Sequence, residues 1–287
     1  MAGVFFINVL IHGLGWASIY TLIAVGFSLI FSASRIINLS QGEFVMLGGL
    51  LGFTLYSLGI PIWAVPVIAA LGVAGVGIIL DGVAIRPASG ASPTSLIIIT
   101  IAISIVLKST AALIWGPDSF RIPDFFPNAV IGSSAIRIDP QYLLVMVVCG
   151  LSILTLSLFL KKTRLGRSIR ACSMDPIGAT LVGVSPHRMR MLSFCISGGL
   201  GGMIGTLITP IFYARFDCGL SLGLQGFAAA VLGGRGSIRG AVAGGIIIGL
   251  AEAMGASVAS SYKDIIAPIL MILVLYVRPQ GILGGRT

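Results

Sequence analysis

Two acidic residues lie inside apolar stretches and are the first candidates for chemistry. Glu252 follows Gly240 by about twelve residues in an otherwise apolar run, which is roughly 18 Å along a helix. A charge near mid-bilayer costs about 2.5–3.5 kcal/mol on insertion scales, so it must face protein or water and find a partner, or be protonated. Glu252 therefore either lines a polar pathway through the protein or makes a structural hydrogen bond to a neighbouring helix.

Glu43 opens another apolar run, within the segment Ser40-Gln-Gly-Glu43. This spacing matches a capping box, in which the Ser and Glu side chains satisfy each other's free backbone amides. The favoured interpretation is a helix cap. The alternative is a gate or polar step in a pathway, formed by Asn38, Gln41, Gly42 and Glu43.

Catalytic motifs are absent from the sequence. Gly233 to Gly240 is glycine-rich but lacks the Lys-[Ser/Thr] pair of a phosphate-binding loop, and neither His-Glu-x-x-His nor Gly-x-Ser-x-Gly occurs. The chain has two histidines, and its four cysteines form no Cys-x-x-Cys pair, so no metal or redox site is indicated. His12, on an apolar helix, is interpreted as a structural histidine. We therefore predict no enzymatic activity and no cofactor in this chain.

The elements that position these residues must be membrane helices. Of the 287 residues, 56% are hydrophobic and 9% are charged, against roughly 25% charged in an average soluble domain. Several uncharged runs reach the roughly 20 residues that a spanning helix requires. The sequence predicts one all-α, polytopic membrane domain over residues 1–287, with about eight to nine transmembrane or re-entrant helices near residues 4–32, 42–58, 62–80, 94–115, 140–160, 191–213, 219–234, 240–258 and 265–277.

Two polar stretches orient these helices. Residues 161–190 hold seven Lys and Arg against one acid, which places this segment in the cytoplasm by the positive-inside rule. Residues 116–139 contain two Arg and three Asp, and we predict that they form an ordered extracytoplasmic loop. The N-terminus is then outside and the C-terminus inside. This topology also explains the net charge of +9 better than nucleic-acid binding does.

The basic segment 161–190 is too long for a simple turn. Its sequence predicts short helices separated by Pro176, with an apolar face that contains Ile177, Leu181 and Val184. An apolar face within a basic cytoplasmic loop suggests a docking element. The alternative is that the arginines only anchor the loop at lipid headgroups.

At these positions the chain resembles a known family. Ile37 to Gly49, Thr163 to Ala171, Phe227 to Gly245 and Arg278 to Gly284 are similar to the LivH-type permease of branched-chain amino-acid ABC importers. The resemblance runs over nearly the whole chain in the same order. One departure concerns Gln41, where the family pattern more often has His. Related permeases serve urea, amides and aromatic acids.

The resemblance implies a bacterial inner-membrane importer. Its partners would be a second, LivM-like permease subunit, two cytoplasmic ATPases that bind ATP and Mg, and a periplasmic substrate-binding protein. The segment that seats on the ATPase would include Thr163, Arg164, Gly166, Arg167, Arg170, Asp175 and Gly183. A stand-alone channel or secondary transporter is the alternative, but the only deeply placed ionisable residue is Glu252, which gives ion coupling little support.

Overall fold

The computed structural model describes residues 2–127, 131–132, 137–234, 236–258 and 263–283. Eleven α-helices lie within these residues, and a π-helical turn, Asp81–Ile85, extends the third of them. The helices are α1 (Ala2–Ser34), α2 (Gln41–Ser57), α3 (Val65–Leu80), α4 (Pro93–Trp115), α5 (Pro140–Lys162), α6 (Arg164–Met174), α7 (Pro176–Leu181), α8 (Pro186–Ile208), α9 (Cys218–Gly233), α10 (Ile238–Val258) and α11 (Lys263–Val277).

The predicted all-α membrane fold is confirmed. Each of the nine predicted spans overlaps one helix, namely α1 to α5 and α8 to α11. The bounds predicted for the span at 191–213 are wrong: α8 begins and ends five residues earlier, because Ser185 caps it and Pro186 starts it. Within the described residues, six helices are long and apolar enough to cross a bilayer, and α9 and α11 are shorter apolar helices.

The loop between α4 and α5 carries the strands of this structure. Strand β1 (Ile131–Gly132) pairs antiparallel with strand β2 (Arg137–Ile138), and Phe120 forms an isolated bridge with Ala214. Residues 128–130 and 133–136 of the predicted extracytoplasmic loop lie outside the described residues. The Phe120 bridge ties this loop to the connection between α8 and α9.

The helices divide into a central and a peripheral group. α1 is largely buried inside the protein, and α8 packs against α1, α2 and α3. By contrast, α3, α4 and α5 bury only a minor part of their surface and expose large apolar side chains such as Leu113 and Val67. An apolar exterior of this kind suits contact with lipid or with another membrane subunit.

Two helices begin side by side within the bundle. A Cβ on Gly42 would overlap the Gly219 carbonyl oxygen and lie 2.7 Å from the Gly223 Cα, so the first turns of α2 and α9 touch backbone to backbone. Non-helical segments, residues 35–40 and 209–217, lead into these helices. Gln41 contacts Gly26, about 12 Å along α1 from its end at Ser34. Irregular backbone at such depth is tolerated only where protein or a water-filled cavity surrounds it.

Candidate translocation and coupling sites

The residues predicted to form a polar step are gathered at the start of α2. Asn38, Gln41 and Glu43 are almost completely buried. Gln41 Oε1 accepts a hydrogen bond from Ser197 on α8 at 2.7 Å, and Glu43 Oε1 accepts one from Ser104 on α4 at 2.8 Å. Gln41 therefore connects α2 to α8, and Glu43 connects α2 to α4.

The predicted capping box is wrong. Ser40 precedes α2, but its side chain makes no capping hydrogen bond. Its hydroxyl instead donates to Asn38 Oδ1 at 2.6 Å, while the Glu43 carboxylate turns away from the helix end to Ser104. Ser and Asn side chains often form hydrogen bonds to neighbouring groups in the chain instead of capping a helix. Glu43 thus serves the contact between α2 and α4.

Several buried polar atoms of this cluster have unused hydrogen-bonding capacity. Asn38 Nδ2, Gln41 Nε2 and Glu43 Oε2 have no hydrogen-bond partner. Each such group costs about 1–3 kcal/mol, and native structures hold few of them. Lys108 lies one turn beyond Ser104 on α4, and its charge acts on the Glu43 carboxylate. Residues 38–43 therefore form a buried polar cluster that is not explained by a helix cap.

Replacing Ser104 with alanine tests this contact. The buried Glu43 carboxylate would lose the hydrogen bond that Ser104 donates to it, so we expect the free energy of unfolding to fall by about 1–3 kcal/mol. The readout is the thermal unfolding midpoint of the purified chain in detergent. Ser95→Ala on the same helix, at an exposed site, is the control. Equal midpoints for the two variants would contradict the assigned role of Ser104.

Glu252 occupies a separate site. Its Oε2 accepts a hydrogen bond from the Tyr20 hydroxyl at 2.6 Å, across the contact between α10 and α1. Both side chains are buried at the inner end of a cavity of about 370 Å³. The cavity is lined by Asn8, Val9, His12, Trp16, Tyr20, Glu252, Ala253, Ala256 and Ser257. Tyr20 on α1 is therefore the hydrogen-bond partner on a neighbouring helix that was predicted for Glu252.

The structure does not join the two candidate pathway sites into one cluster. Tyr20, which holds Glu252, and Gly26, which touches Gln41, are about 9 Å apart along α1. One central helix therefore contacts both sites. The sequence analysis did not predict that α1 lines the cavity beside Glu252. A pattern that indicates it is present, because Asn8, His12, Trp16 and Tyr20 recur at every fourth residue and so lie on one face of α1.

The predicted docking segment folds as two short helices that break before Pro176. Thr163 caps α6 by accepting from the Gly166 amide at 3.0 Å, and Asp175 caps α7 by accepting from the Ile177 amide at 3.0 Å. A Cβ on Gly166 would lie within 2.8 Å of the Phe159 carbonyl carbon, and Gly183 has a φ of +81°. Thr163 and Asp175 therefore fix where α6 and α7 begin, Gly166 permits close packing of α6 against the end of α5, and Gly183 permits the turn after α7.

The outer face of this segment combines positive charge with apolar surface. Arg164, Arg167 and Arg170 are exposed, whereas Ile169 and Cys172 point into the core. Burial raises the pKa of the Cys172 thiol, which suits a packing role. Beside the arginines lie exposed apolar side chains, with Met174 and Leu181 more than four-fifths exposed. We call this surface, formed by Arg164, Arg167, Arg170, Met174, Ile177, Leu181 and Val182, the basic–apolar face. Val184, which the sequence predicted to belong to the apolar face, packs against the core instead.

Two polar contacts connect the same end of the protein to the membrane helices. Arg35, at the end of α1, donates from Nη2 to the Ser173 carbonyl at 2.9 Å. Arg190, near the start of α8, donates from Nε to the fully buried Asp81 at 2.5 Å. The Arg35 hydrogen bond therefore links α6 to α1, the helix that contacts both candidate pathway sites.

Apolar helices around buried polar groups, with an exposed basic–apolar face at one end, define a multi-pass membrane protein. The chain belongs to the family described as "Branched-chain amino acid transport system / permease component", whose model matches residues 9–275. The resemblance predicted from the sequence is confirmed. As a permease component, the chain acts within a transport system of several parts.

Individual relatives agree with this family. The chain is 34% identical to the high-affinity branched-chain amino acid transport system permease protein BraD of Pseudomonas aeruginosa, over 97% of this chain and 96% of BraD. It is also 34% identical to LivH of Salmonella typhimurium, over 98% and 96% of the two chains. PsaBC from Streptococcus pneumoniae, solved in complex with Fab, covers 94% of this chain and 91% of its own with a TM-score of 0.52. At 14% identity it shows a shared fold alone.

Proposed function

We propose that this chain is the membrane-spanning permease subunit of an ATP-driven importer for branched-chain amino acids, or for related small polar or aromatic solutes. The observation that carries the proposal is the family match across residues 9–275. BraD and LivH, which are similar over nearly their whole length, are both named as permeases of branched-chain amino acid transport. The chain would form the translocation pathway together with a second permease subunit.

The proposed assembly holds two permeases, this chain and a LivM-like subunit, in the inner membrane of a bacterium. Two cytoplasmic ATPases would bind ATP and Mg, and a periplasmic binding protein would deliver the solute. The charge pattern supports a periplasmic N-terminus and a cytoplasmic C-terminus. This chain would contribute the route and the coupling, with no catalytic residue of its own.

The basic–apolar face supports coupling through residues 161–190. Met and Arg side chains are enriched at protein interfaces, and the exposed Met174 and Leu181 form an apolar surface beside the arginines that a partner would cover. ATP binding would close the ATPase pair and push α6 and α7. Because α6 packs on α1, α5 and α8, that displacement would move the helices around both polar sites, and access would alternate.

Reversing the charge of two arginines tests this coupling. In the double variant Arg167→Glu and Arg170→Glu, we expect ATP-dependent uptake to fall about 5- to 150-fold, the range of typical coupling free energies of 1–3 kcal/mol. The measurement is leucine uptake into vesicles that hold the full importer. Arg86→Glu, exposed outside this segment, is the matched control. Normal uptake with normal assembly in the double variant would defeat the proposal for this face.

A stand-alone channel or secondary transporter is the competing function. Purifying the tagged chain gently from native membranes, followed by mass spectrometry of the proteins that accompany it, separates the two. ATPase subunits and a second permease should be recovered if the importer is right. Recovery of the chain alone, with uptake that is insensitive to ATP depletion, would favour the competing function.

A further inference from the structure

The cavity between α1 and α10 leads to a buried carboxyl group, that of Glu252. Asn8 lies at one end and Tyr20 at the other, about 18 Å apart along α1. The cavity is at the ends of α1 and α10 that the charge pattern assigns to the periplasm. Its volume of about 370 Å³ falls within the roughly 300–1,000 Å³ typical of small-molecule sites.

The inner end of this cavity has the chemistry of an ammonium site. The Glu252 carboxylate is held by the Tyr20 hydroxyl at 2.6 Å, and the Trp16 ring lies 5.8 Å from the Tyr20 ring, between centroids. A carboxylate beside aromatic faces is the combination that attracts a cation in a partly desolvated site. The Trp16 ring also packs edge-on against Phe212, with 5.9 Å between the ring centroids.

Part of the remaining wall suits an aliphatic group, while Asn8, His12 and Ser257 add polar side chains to the lining. Val9, Ala253 and Ala256 are apolar, and Ala256 lies one helical turn from Glu252 on the same face of α10. A solute with an ammonium group and a short aliphatic side chain would place its charge at Glu252 and its hydrocarbon along this wall.

We propose that this cavity is a binding site for the transported solute, and that Glu252, Tyr20 and Trp16 recognise the primary ammonium group of an aliphatic amino acid. This inference rests on the proposed function, and it assigns within it a selective step to the permease itself. Glu252 is then a binding residue that contacts the solute, and Tyr20 positions its carboxylate.

The first experiment compares Glu252→Gln with wild type in vesicles that hold the complete importer. Loss of a charged hydrogen-bond partner predicts a rise of about tenfold or more in the leucine concentration for half-maximal uptake, with binding-protein-stimulated ATP hydrolysis retained. Met254→Gln, on the exposed side of the same helix, should match wild type. Unchanged leucine uptake in Glu252→Gln overturns the site, while ATP-dependent uptake in those vesicles leaves the proposed function standing.

A second measurement remains decisive if Glu252→Gln fails to fold. Ala256→Cys, in a background without the four native cysteines, is labelled with cationic and anionic methanethiosulfonate reagents of equal size. We expect the cationic reagent to react faster and leucine to slow it. Equal rates, no protection by leucine, or no labelling in the assembled importer would each overturn the site. Wild-type uptake that does not require ATP would instead refute the proposed function.

Discussion

Replacing Asp81 with alanine is expected to destabilise the protein by about 3–5 kcal/mol, because it leaves Arg190 buried without its partner. Asp81 is fully buried, and Arg190 is largely so, with Nε at 2.5 Å from Asp81 Oδ1. His187 Nδ1 lies 3.6 Å from the other carboxylate oxygen, within ion-pair range but too far for a hydrogen bond. The pair fixes the π-helical turn after α3 to the start of α8.

The measurement is unfolding of the purified chain by heat or by SDS in mixed micelles. Asp118→Ala, at an exposed position, is the control and should remain close to wild type. The double variant Asp81→Leu and Arg190→Met removes both charges and should recover most of the loss, because replacing a whole buried ion pair by hydrophobic residues of similar volume is often nearly neutral. An Asp81→Ala variant as stable as Asp118→Ala would show that the pair contributes little.

The sequence was sufficient to predict α1 to α5 and α8 to α11, because each of these helices contains an apolar run. For example, α4 ends just before Gly116 and α5 begins at Pro140, in agreement with the loop predicted over residues 116–139. The caps at Thr163 and Asp175 also follow local rules of residue type and spacing. Such features depend on neighbours within a few residues, and a single sequence contains them.

Contacts between distant residues were not predictable in the same way. Tyr20 and Glu252 are 232 residues apart in the chain, and Gln41 and Ser197 are 156 apart, so only the packing of α1, α2, α8 and α10 brings them together. The capping box failed for the same reason. Ser104 lies 61 residues from Glu43, and its hydroxyl competes for the carboxylate that the local pattern assigned to Ser40.

Replacing Gly205 with valine is expected to have a comparably large effect, through the contact between α2 and α8. A Cβ on Gly205 would overlap the Val45 carbonyl oxygen and lie 2.9 Å from the Gly49 amide nitrogen. Neither backbone group can move without shifting α2, and overpacking of this kind costs about 1–3 kcal/mol or more. Because α2 carries Gln41 and Glu43, a displaced α2 would also break the bonds to Ser197 and Ser104.

We therefore expect Gly205→Val to lower both the accumulation of the chain in the membrane and its unfolding midpoint in detergent, with uptake lost in any protein that remains. Gly75→Val on α3 is the matched control, because no heavy atom lies within 4 Å of its Cβ position. The two substitutions add the same atoms to a membrane helix and differ only in what those atoms meet. If both variants accumulate and unfold alike, close approach of α2 and α8 is not what positions the polar step.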